Sequence, residues 1–161
     1  MAIVIRPYRP SDRASVIALT VAAFPGVSID HNLDKELGSI AGQDWRWRKG
    51  RDIENDIDMP DSELAMAEDE ENGTAVGYVT MHFDQESKIG WIHNLAVESK
   101  VRGQGLGRRL IEHALDRFRA AGMTVAKIET LEQNEIGRHL YPSLGFREIA
   151  RQIHYAMQLL D

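Results

Sequence analysis

Six consecutive residues carry the sharpest chemical signal in the chain: Arg102-Gly103-Gln104-Gly105-Leu106-Gly107. Glycine lets a backbone turn sharply and approach a ligand without a Cβ in the way. An apolar stripe at helical spacing follows, formed by Leu106, Leu110, Ala114, Leu115 and Phe118. The turn therefore opens onto a helix N-terminus. The first amides there have no acceptor inside the helix, and the helix dipole adds positive potential, so the pair suits an anion and phosphate above all. Lys100, Arg102, Arg108 and Arg109 surround the turn, against the single Glu98. Cations at a helix N-terminus oppose the dipole, at about 0.3–1 kcal/mol each on an exposed site. A polyanionic ligand would offset that cost. A Walker loop needs Lys followed by Ser or Thr after its last glycine, and Arg108-Arg109 stands there instead. A dinucleotide fingerprint needs G-x-G-x-x-G, whereas Gly103, Gly105 and Gly107 are spaced G-x-G-x-G. The pattern R-x-x-G-x-G is matched in full. The plainer alternative is a glycine-rich connection flanked by solvated arginines.

The elements that must hold this turn are legible at low resolution. Ala2–Ile5 is a short β-branched run stopped before Pro7. Ser11 or Asp12 can cap a helix reaching Phe24, which Pro25-Gly26 ends. Val27–Gly42 lacks periodicity and reads as loop or short helical pieces. Trp45, Ile53 and Ile57 share one face of a helix from Asp44 to Met59, with Gly50 as its weak point. Ser62–Ala67 alternates like a half-buried strand, Asn72-Gly73 predicts a two-residue hairpin turn, and Ala75–Phe83 is its partner. A turn at Asp84–Ser87 leads to a strand at Ile89–Val97. The helix after the glycine turn runs from about Gly105 to Ala121, closed by Gly122. Val125–Leu131 reads as a strand, Asn134–Leu144 as a helix with Gly145 at its exit, and Phe146–Ile149 and Ile153–Leu160 as final strands. The order β-α-α-β-β-β-α-β-α-β-β predicts a mixed α/β fold around one sheet.

Composition bounds the rest. A chain of 161 residues, 43% of them hydrophobic, is expected to form one domain, residues 1–161. The net charge is −6, which argues against a dedicated nucleic-acid binder. With no cysteine, disulfides, thiolate metal sites and a cysteine nucleophile are excluded. The first ten residues lack the apolar run of about 7–15 that an export signal needs. The longest uncharged apolar stretch, Val16–Phe24, is nine residues, far below the roughly 20 of a membrane span. A cytoplasmic protein without a membrane partner is expected. The six histidines show no paired H-x-x-x-H spacing, so no metal is expected.

Two segments together resemble a known family. Asn94 to Gly107, NLAVESKVRGQGLG, is similar to the acyl-CoA-binding motif of the GNAT superfamily of N-acetyltransferases. Asn134, Leu140-Tyr141 and Leu144-Gly145-Phe146 match that family's N…LY…LGF segment, and the element order fits along essentially the whole chain. The resemblance implies a mostly antiparallel twisted sheet flanked by helices, with a splayed strand pair holding acetyl-CoA. The amides of Arg102, Gly103, Gln104, Gly105, Leu106, Gly107 and Arg108 would hold the pyrophosphate. The backbone of Leu95, Ala96 and Val97 would pair with the pantetheine arm, in a gap that a β-bulge commonly opens; the side chains of Leu95 and Val97 are core residues on either reading. Asn134 would cap its helix and, on the family reading, also contact the cofactor arm.

The reaction so implied is direct attack of a primary amine on the thioester. Tyr141 is the candidate acid, since a phenol with a pKa near 10 can donate to the leaving thiolate; the alternative is a core tyrosine at a helix end. Pro142 disfavours helical geometry at Tyr141. Gly137 replaces the family's frequent alanine, which reads as a neutral small-for-small change. The candidate base is His93, two residues before Leu95, whose pKa near 6.5 suits the task. Strand alternation assigns it the parity of Ile89, Trp91, Leu95 and Val97, and a hydrogen-bonded structural histidine is the alternative. Glu129 is the second candidate and His82 the third, while His139 and His154 read as surface or packing positions.

Asp52–Glu71 holds ten acidic residues and no basic one. Such a field could draw in a cationic amine, or it could be a solvated face. Trp45 reads as helix packing and Trp47 as a pocket or interface residue. A small-molecule or peptide amine acceptor and a homodimer are both compatible with the chain. The alternative from another class is a non-catalytic acyl-CoA-binding or interaction module on the same fold.

Overall fold

A computed structural model describes residues 1–159. Strand β1, Ile3–Pro7, leads through a 3-10 turn at Pro10–Asp12 into helix α1, Arg13–Ala23. Asp12 stands at the N-cap without capping. Its carboxylate accepts instead from the Arg9 amide at 2.7 Å and from both terminal nitrogens of Arg6 at 2.8 and 2.9 Å. Residues 27–42 hold one regular helix, α2, Ile29–Leu37, capped by Ser28. Helix α3, Trp45–Asp58, is capped by Asp44 and runs through Gly50.

Three antiparallel strands follow: β2, Ser62–Asp69; β3, Thr74–Asp84; β4, Ile89–Val97. The β2–β3 connection is four residues long, two more than expected. Asp69 explains this, because its side chain accepts from the Glu71 amide and from Asn72 Nδ2 and builds a wider turn closed by Gly73 in the left-handed region. Helix α4, Leu106–Ala120, crosses back to strand β5, Val125–Ile128, which pairs parallel with β4. Helix α5, Glu135–Ser143, closes the described elements. The sheet order is β1-β2-β3-β4-β5.

Two apolar layers enclose the sheet. Helices α1 and α3 cover one face through Val16, Leu19, Ile53, Leu64, Met66, Tyr78 and Ala96. Helix α4 covers the other through Leu106, Leu110, Ile111, Ala114 and Phe118, with α5 residues Leu140 and Tyr141 against its margin. Gly90 on β4 is required by this second layer. A Cβ there would lie 2.3 Å from the Phe118 ring.

The expected final strands are not formed. Phe146 packs on the core margin, but residues 145–159 hold no regular structure, and Ile149, Ile153, Tyr155, Met157 and Leu159 are exposed; Leu160 lies outside the described residues. Alternation creates a strand-compatible pattern without choosing a partner. Here the segment is tied to a loop and a helix end rather than to a sheet edge, through Arg151 to Glu132 and Gln158 Nε2 to the Leu37 carbonyl.

Candidate functional site

The glycine turn has the backbone its composition predicts. Gly103 and Gly105 sit at φ +76° and +79°, a region that side-chain-bearing residues avoid. Gly105 is the N-cap of α4, and no side chain caps the helix. The α4 amides therefore face outward with an open approach, since a Cβ built on Gly103 or Gly105 meets nothing within 4 Å. The surrounding cations are more engaged than the sequence suggested. Arg102 Nε donates to the Val97 carbonyl at 3.2 Å, Arg108 to Ser143 at 2.7 Å and Arg109 to the Ile3 carbonyl at 2.8 Å. Lys100 pairs with Glu98. Their charges shape the potential around the turn, while their side chains brace it to β4, α5 and β1.

Beside the turn, β4 loses a neighbour. Its ladder with β5 runs from Ile89–Val125 to Ile92–Ile128 and stops. On that side Leu95, Ala96 and Val97 face no strand, while their other edge pairs with Val79, Tyr78 and Gly77. Strand β5 is accordingly shorter than the expected Val125–Leu131. A bulge marks the divergence, because Val79 pairs with Leu95 but Met81 pairs with Ile92, so two β4 residues, His93 and Asn94, oppose Thr80 alone. The Asn94 amide, displaced from the ladder, donates to Thr80 Oγ1 at 2.8 Å.

The bulge splits the parity expected of His93, which stays with Trp91 but parts from Leu95 and Val97. Leu95 and Val97 lie with the α4 layer. His93 and Asn94 both turn to the α3 layer, where each meets Asp56. One extra residue reverses the alternation, so a period of two cannot be carried across it. His93 Nδ1 lies 3.1 Å from Asp56 Oδ1, and its ring packs edge-on to Trp91 at 4.0 Å and near His82 at 5.8 Å. His93 Nε2 and Trp91 Nε1 are buried without a hydrogen-bond partner. Two adjacent unpaired nitrogens cost about 1–3 kcal/mol each, a cost relieved when a ligand or water supplies partners.

Asp56 itself is 7% exposed. Its Oδ2 accepts from Asn94 Nδ2 and, at 3.4 Å, from the Thr80 hydroxyl. Lys49 Nζ donates to Asn94 Oδ1 at 2.9 Å and to Asp52 at 3.0 Å, beneath the Phe24 ring. Sequence reasoning named neither Asp56, Asn94 nor Lys49 as site residues. The available signal was the spacing of Lys49, Asp52 and Asp56 along one face of α3.

Of the other expected site residues, His82 lies beside His93, while Tyr141, Asn134 and Glu129 belong to α5 and the end of β5. Tyr141 packs with the α4 layer, 6.3 Å from the Phe146 ring centroid. Burial pushes its phenol above the ordinary pKa of 10, so it is a neutral acid at pH 7. Contrary to the Pro142 argument, α5 continues through that proline. It stands in the last turn, where the missing amide forfeits one bond, and the Gly145 and Phe146 amides close the helix onto the Pro142 and Tyr141 carbonyls. Asn134 caps α5 by accepting from the Gly137 amide at 3.3 Å. Gly137 is not a neutral position: an added Cβ would lie 2.9 Å from Asn134 Nδ2 and 3.1 Å from the Tyr141 ring. Glu129 is exposed just beyond β5, and His82 Nδ1 lies 3.3 Å from Ser62 Oγ. Among the described residues no group of three metal-ligating side chains is gathered, and no helix is long and apolar enough to cross a membrane.

Most of the acidic run is spent on internal pairing. Glu54 and Asp58 pair with Arg13, Glu63 with Arg117, Glu68 with Arg6 and Asp52 with Lys49. Trp45 is buried as expected, and Trp47 is 46% exposed beneath Arg51.

Known proteins resemble this chain in sequence and in fold. Residues 30–146 match the acetyltransferase (GNAT) family. N-alpha-acetyltransferase 30 of Saccharomyces cerevisiae is 30% identical over 96 residues, 56% of this chain and 54% of that protein. The ribosomal protein bS18-alanine N-acetyltransferase of Escherichia coli is 36% identical over 64 residues, 40% of this chain and 43% of its own. A crystal structure of the Escherichia coli ribosomal-protein-S18-alanine N-acetyltransferase superposes with a TM-score of 0.70 at 19% identity, covering 92% of this chain and 80% of that one. AAC(6')-Iy, solved with a bisubstrate analogue of CoA and acetylneamine, superposes with a TM-score of 0.66 at 18% identity, covering 98% and 99%. The chain spans about half the length of the curated relatives it matches. With a family match across most of the chain, a sheet that opens after Ile92 and an uncapped glycine turn beside the opening, the chain belongs to the acetyltransferase (GNAT) family.

Proposed function

We propose that this chain is an acetyl-CoA-dependent N-acetyltransferase that acetylates a primary amine within a ternary complex. One observation carries the reading: the unpaired edge of Leu95–Val97 opens directly beside the outward amides of the Gly103–Gly105 turn. A ligand combining an amide-bearing arm with a pyrophosphate fits both features at once. The arm adds to β4 as a strand would, and the pyrophosphate meets the N-terminus of α4. Arg102 to Arg108 supply the amides, and Asn134, the N-cap of α5, contacts the cofactor arm. ATP or NAD lacks an arm that would use the β4 edge.

Bound acetyl-CoA supplies the activated acyl group. The chain supplies the acid and the base from opposite faces of the sheet, His93 with α3 and Tyr141 with α5. The neutral amine nitrogen bonds to the thioester carbon, and His93 Nε2 accepts the one proton that nitrogen gives up. The carbon–sulfur bond breaks, and Tyr141 donates its phenolic proton to the departing thiolate. A buried, neutral phenol is suited to that donation. Glu129, exposed beyond β5, is the reserve base. The acceptor class is a primary amine on a small molecule or a peptide; the Escherichia coli relative is named for a ribosomal-protein alanine, and AAC(6')-Iy was solved with an analogue carrying acetylneamine.

Titration calorimetry with acetyl-CoA, ATP and NAD tests this. Micromolar binding of acetyl-CoA alone, with thiol release on adding an amine panel, is the expected result. Binding without turnover on any amine makes the chain an acyl-CoA-binding module. Absence of acetyl-CoA binding by the folded protein removes the reading.

A further inference from the structure

Helix α3 and the β4 bulge bring four polar side chains into one line beneath the sheet opening, in the order Lys49, Asn94, Asp56, His93. The direction of every hydrogen bond along this line follows from the chemistry at its first member. An ammonium only donates, so the oxygen of the Asn94 amide faces Lys49. The amide nitrogen of Asn94 must then face Asp56, and it donates to Oδ2. The Thr80 hydroxyl lies 3.4 Å from both this oxygen and the Asn94 main-chain carbonyl, and its single proton serves one of them. Asp56 Oδ1 is left for His93 Nδ1, and a carboxylate can only accept. The proton of a neutral His93 is thereby placed on Nδ1, and the lone pair is presented at Nε2, the nitrogen without a partner.

Resting on the acetyl-transfer reading above, we propose that Asp56 is the positioning residue that sets His93 in the Nδ1–H tautomer, with Asn94 and Lys49 fixing its polarity. Asp56 does not touch the reacting atoms. It selects which imidazole nitrogen is basic and holds the ring in place, as an orienting carboxylate does for other histidine bases. The bulge is what makes this geometry available. A regular strand would send His93 and Asn94 to opposite faces, and only one of them could reach α3. Helix α3 contributes the first and third members of the line from one face, Lys49 and Asp56 being seven positions apart.

The substitution Asp56→Asn makes a sharp test, because the amide keeps the shape and reverses one bond. Asn94 Nδ2, whose own oxygen is held by Lys49, requires an acceptor on its side, so the new oxygen turns to it. The new NH2 then faces His93 Nδ1 and forces the proton to Nε2, where it blocks the lone pair. Two readouts separate the proposal from the function. Nitrogen-15 NMR of the imidazole in the unliganded protein needs no substrate. It should show His93 with Nδ1 protonated and Nε2 bare in the parent chain, and the reverse in Asp56→Asn. Steady-state kinetics with the amine found in the screen should then show kcat/KM lowered about 100-fold, with acetyl-CoA affinity unchanged by calorimetry. Asp56→Glu should restore the parent tautomer and part of the activity. A parent chain with the proton on Nε2 overturns the proposal, as does an Asp56→Asn variant with the parent tautomer. The expected tautomers without turnover on any amine would leave Asp56 as the positioning residue and count against the acetyl-transfer reading instead.

Discussion

Gly105 joins a left-handed φ of +79° to the N-cap of α4, and a Cβ there would point into open space. Its requirement is therefore the backbone angle rather than room inside the chain. Left-handed geometry costs a residue with a side chain about 1–2 kcal/mol, and relaxing it turns the α4 amides away from their common focus. Gly105→Ala should raise the acetyl-CoA dissociation constant at least about tenfold by calorimetry while leaving the circular dichroism spectrum unchanged; parent affinity would detach the turn from cofactor binding. Tyr141 makes the complementary case. Removing its hydroxyl in Tyr141→Phe should lower kcat about 100-fold with acetyl-CoA affinity intact. Because burial raises the phenol pKa, its neutral form persists above pH 10. Any alkaline loss of kcat that Tyr141 causes in the parent should therefore have its midpoint above the ordinary phenol value of 10. A fully active Tyr141→Phe variant would remove it as the acid.

At the scale of elements, the sheet and α4 meet through a contact that only glycine permits. An alanine Cβ at position 90 would lie 2.3–2.6 Å from three carbons of the Phe118 ring. Phe118 is 2% exposed and packs edge-on to Phe83, so it has little freedom to yield. Gly90→Ala should destabilise the fold by about 1–3 kcal/mol. For a chain of this size that lowers Tm by roughly 2–4 °C per kcal/mol, measurable by thermal denaturation; an unchanged Tm would show that α4 can shift over the sheet. The β4 bulge acts at the same scale. It ends the β4–β5 ladder, turns His93 and Asn94 toward α3, and recruits Thr80 to satisfy the displaced amide. A single inserted residue thus separates the two strands and assembles the polar line beside them.

Across the whole molecule, charge is arranged in local pairs that tie distant segments together. Arg6 on β1 donates to Asp12 before α1 and to Glu68 on β2, with all three side chains largely buried. Hydrogen bonding from Arg6 holds the Asp12 carboxyl below its ordinary value of 3.8. A carboxyl with a depressed folded pKa stabilises fully above its unfolded pKa, and that stability is lost as pH falls through the folded value. Tm should therefore decline on acidification below about pH 4. Arg6→Met should cost about 3–5 kcal/mol at pH 7 by leaving Asp12 buried and unpaired, and chemical denaturation should show the loss shrinking in acid as Asp12 protonates. A loss that is the same at pH 3 and pH 7 would rule out Asp12 as its source.

Sequence by itself determined the elements whose signals are local. The glycine turn, the apolar stripe of α4, the cap at Asn134 and the antiparallel order of β2 to β4 all follow from spacing within a dozen residues. The phosphate-loop pattern and the family resemblance were legible for the same reason. What only the tertiary structure decided are the relations between segments far apart in the chain. Alternation could not show the bulge at His93-Asn94, so it groups His93 with Leu95 and Val97 as well as with Trp91, and only the grouping with Trp91 holds. Helical spacing could not show that Asp56 meets a histidine 37 residues away. Residues 146–159 carry a strand-like pattern, yet a strand exists only where a ladder partner is within reach, and none of the described strands pairs with them. Local propensity is written residue by residue, whereas register, facing and pairing are set by which surfaces bury one another.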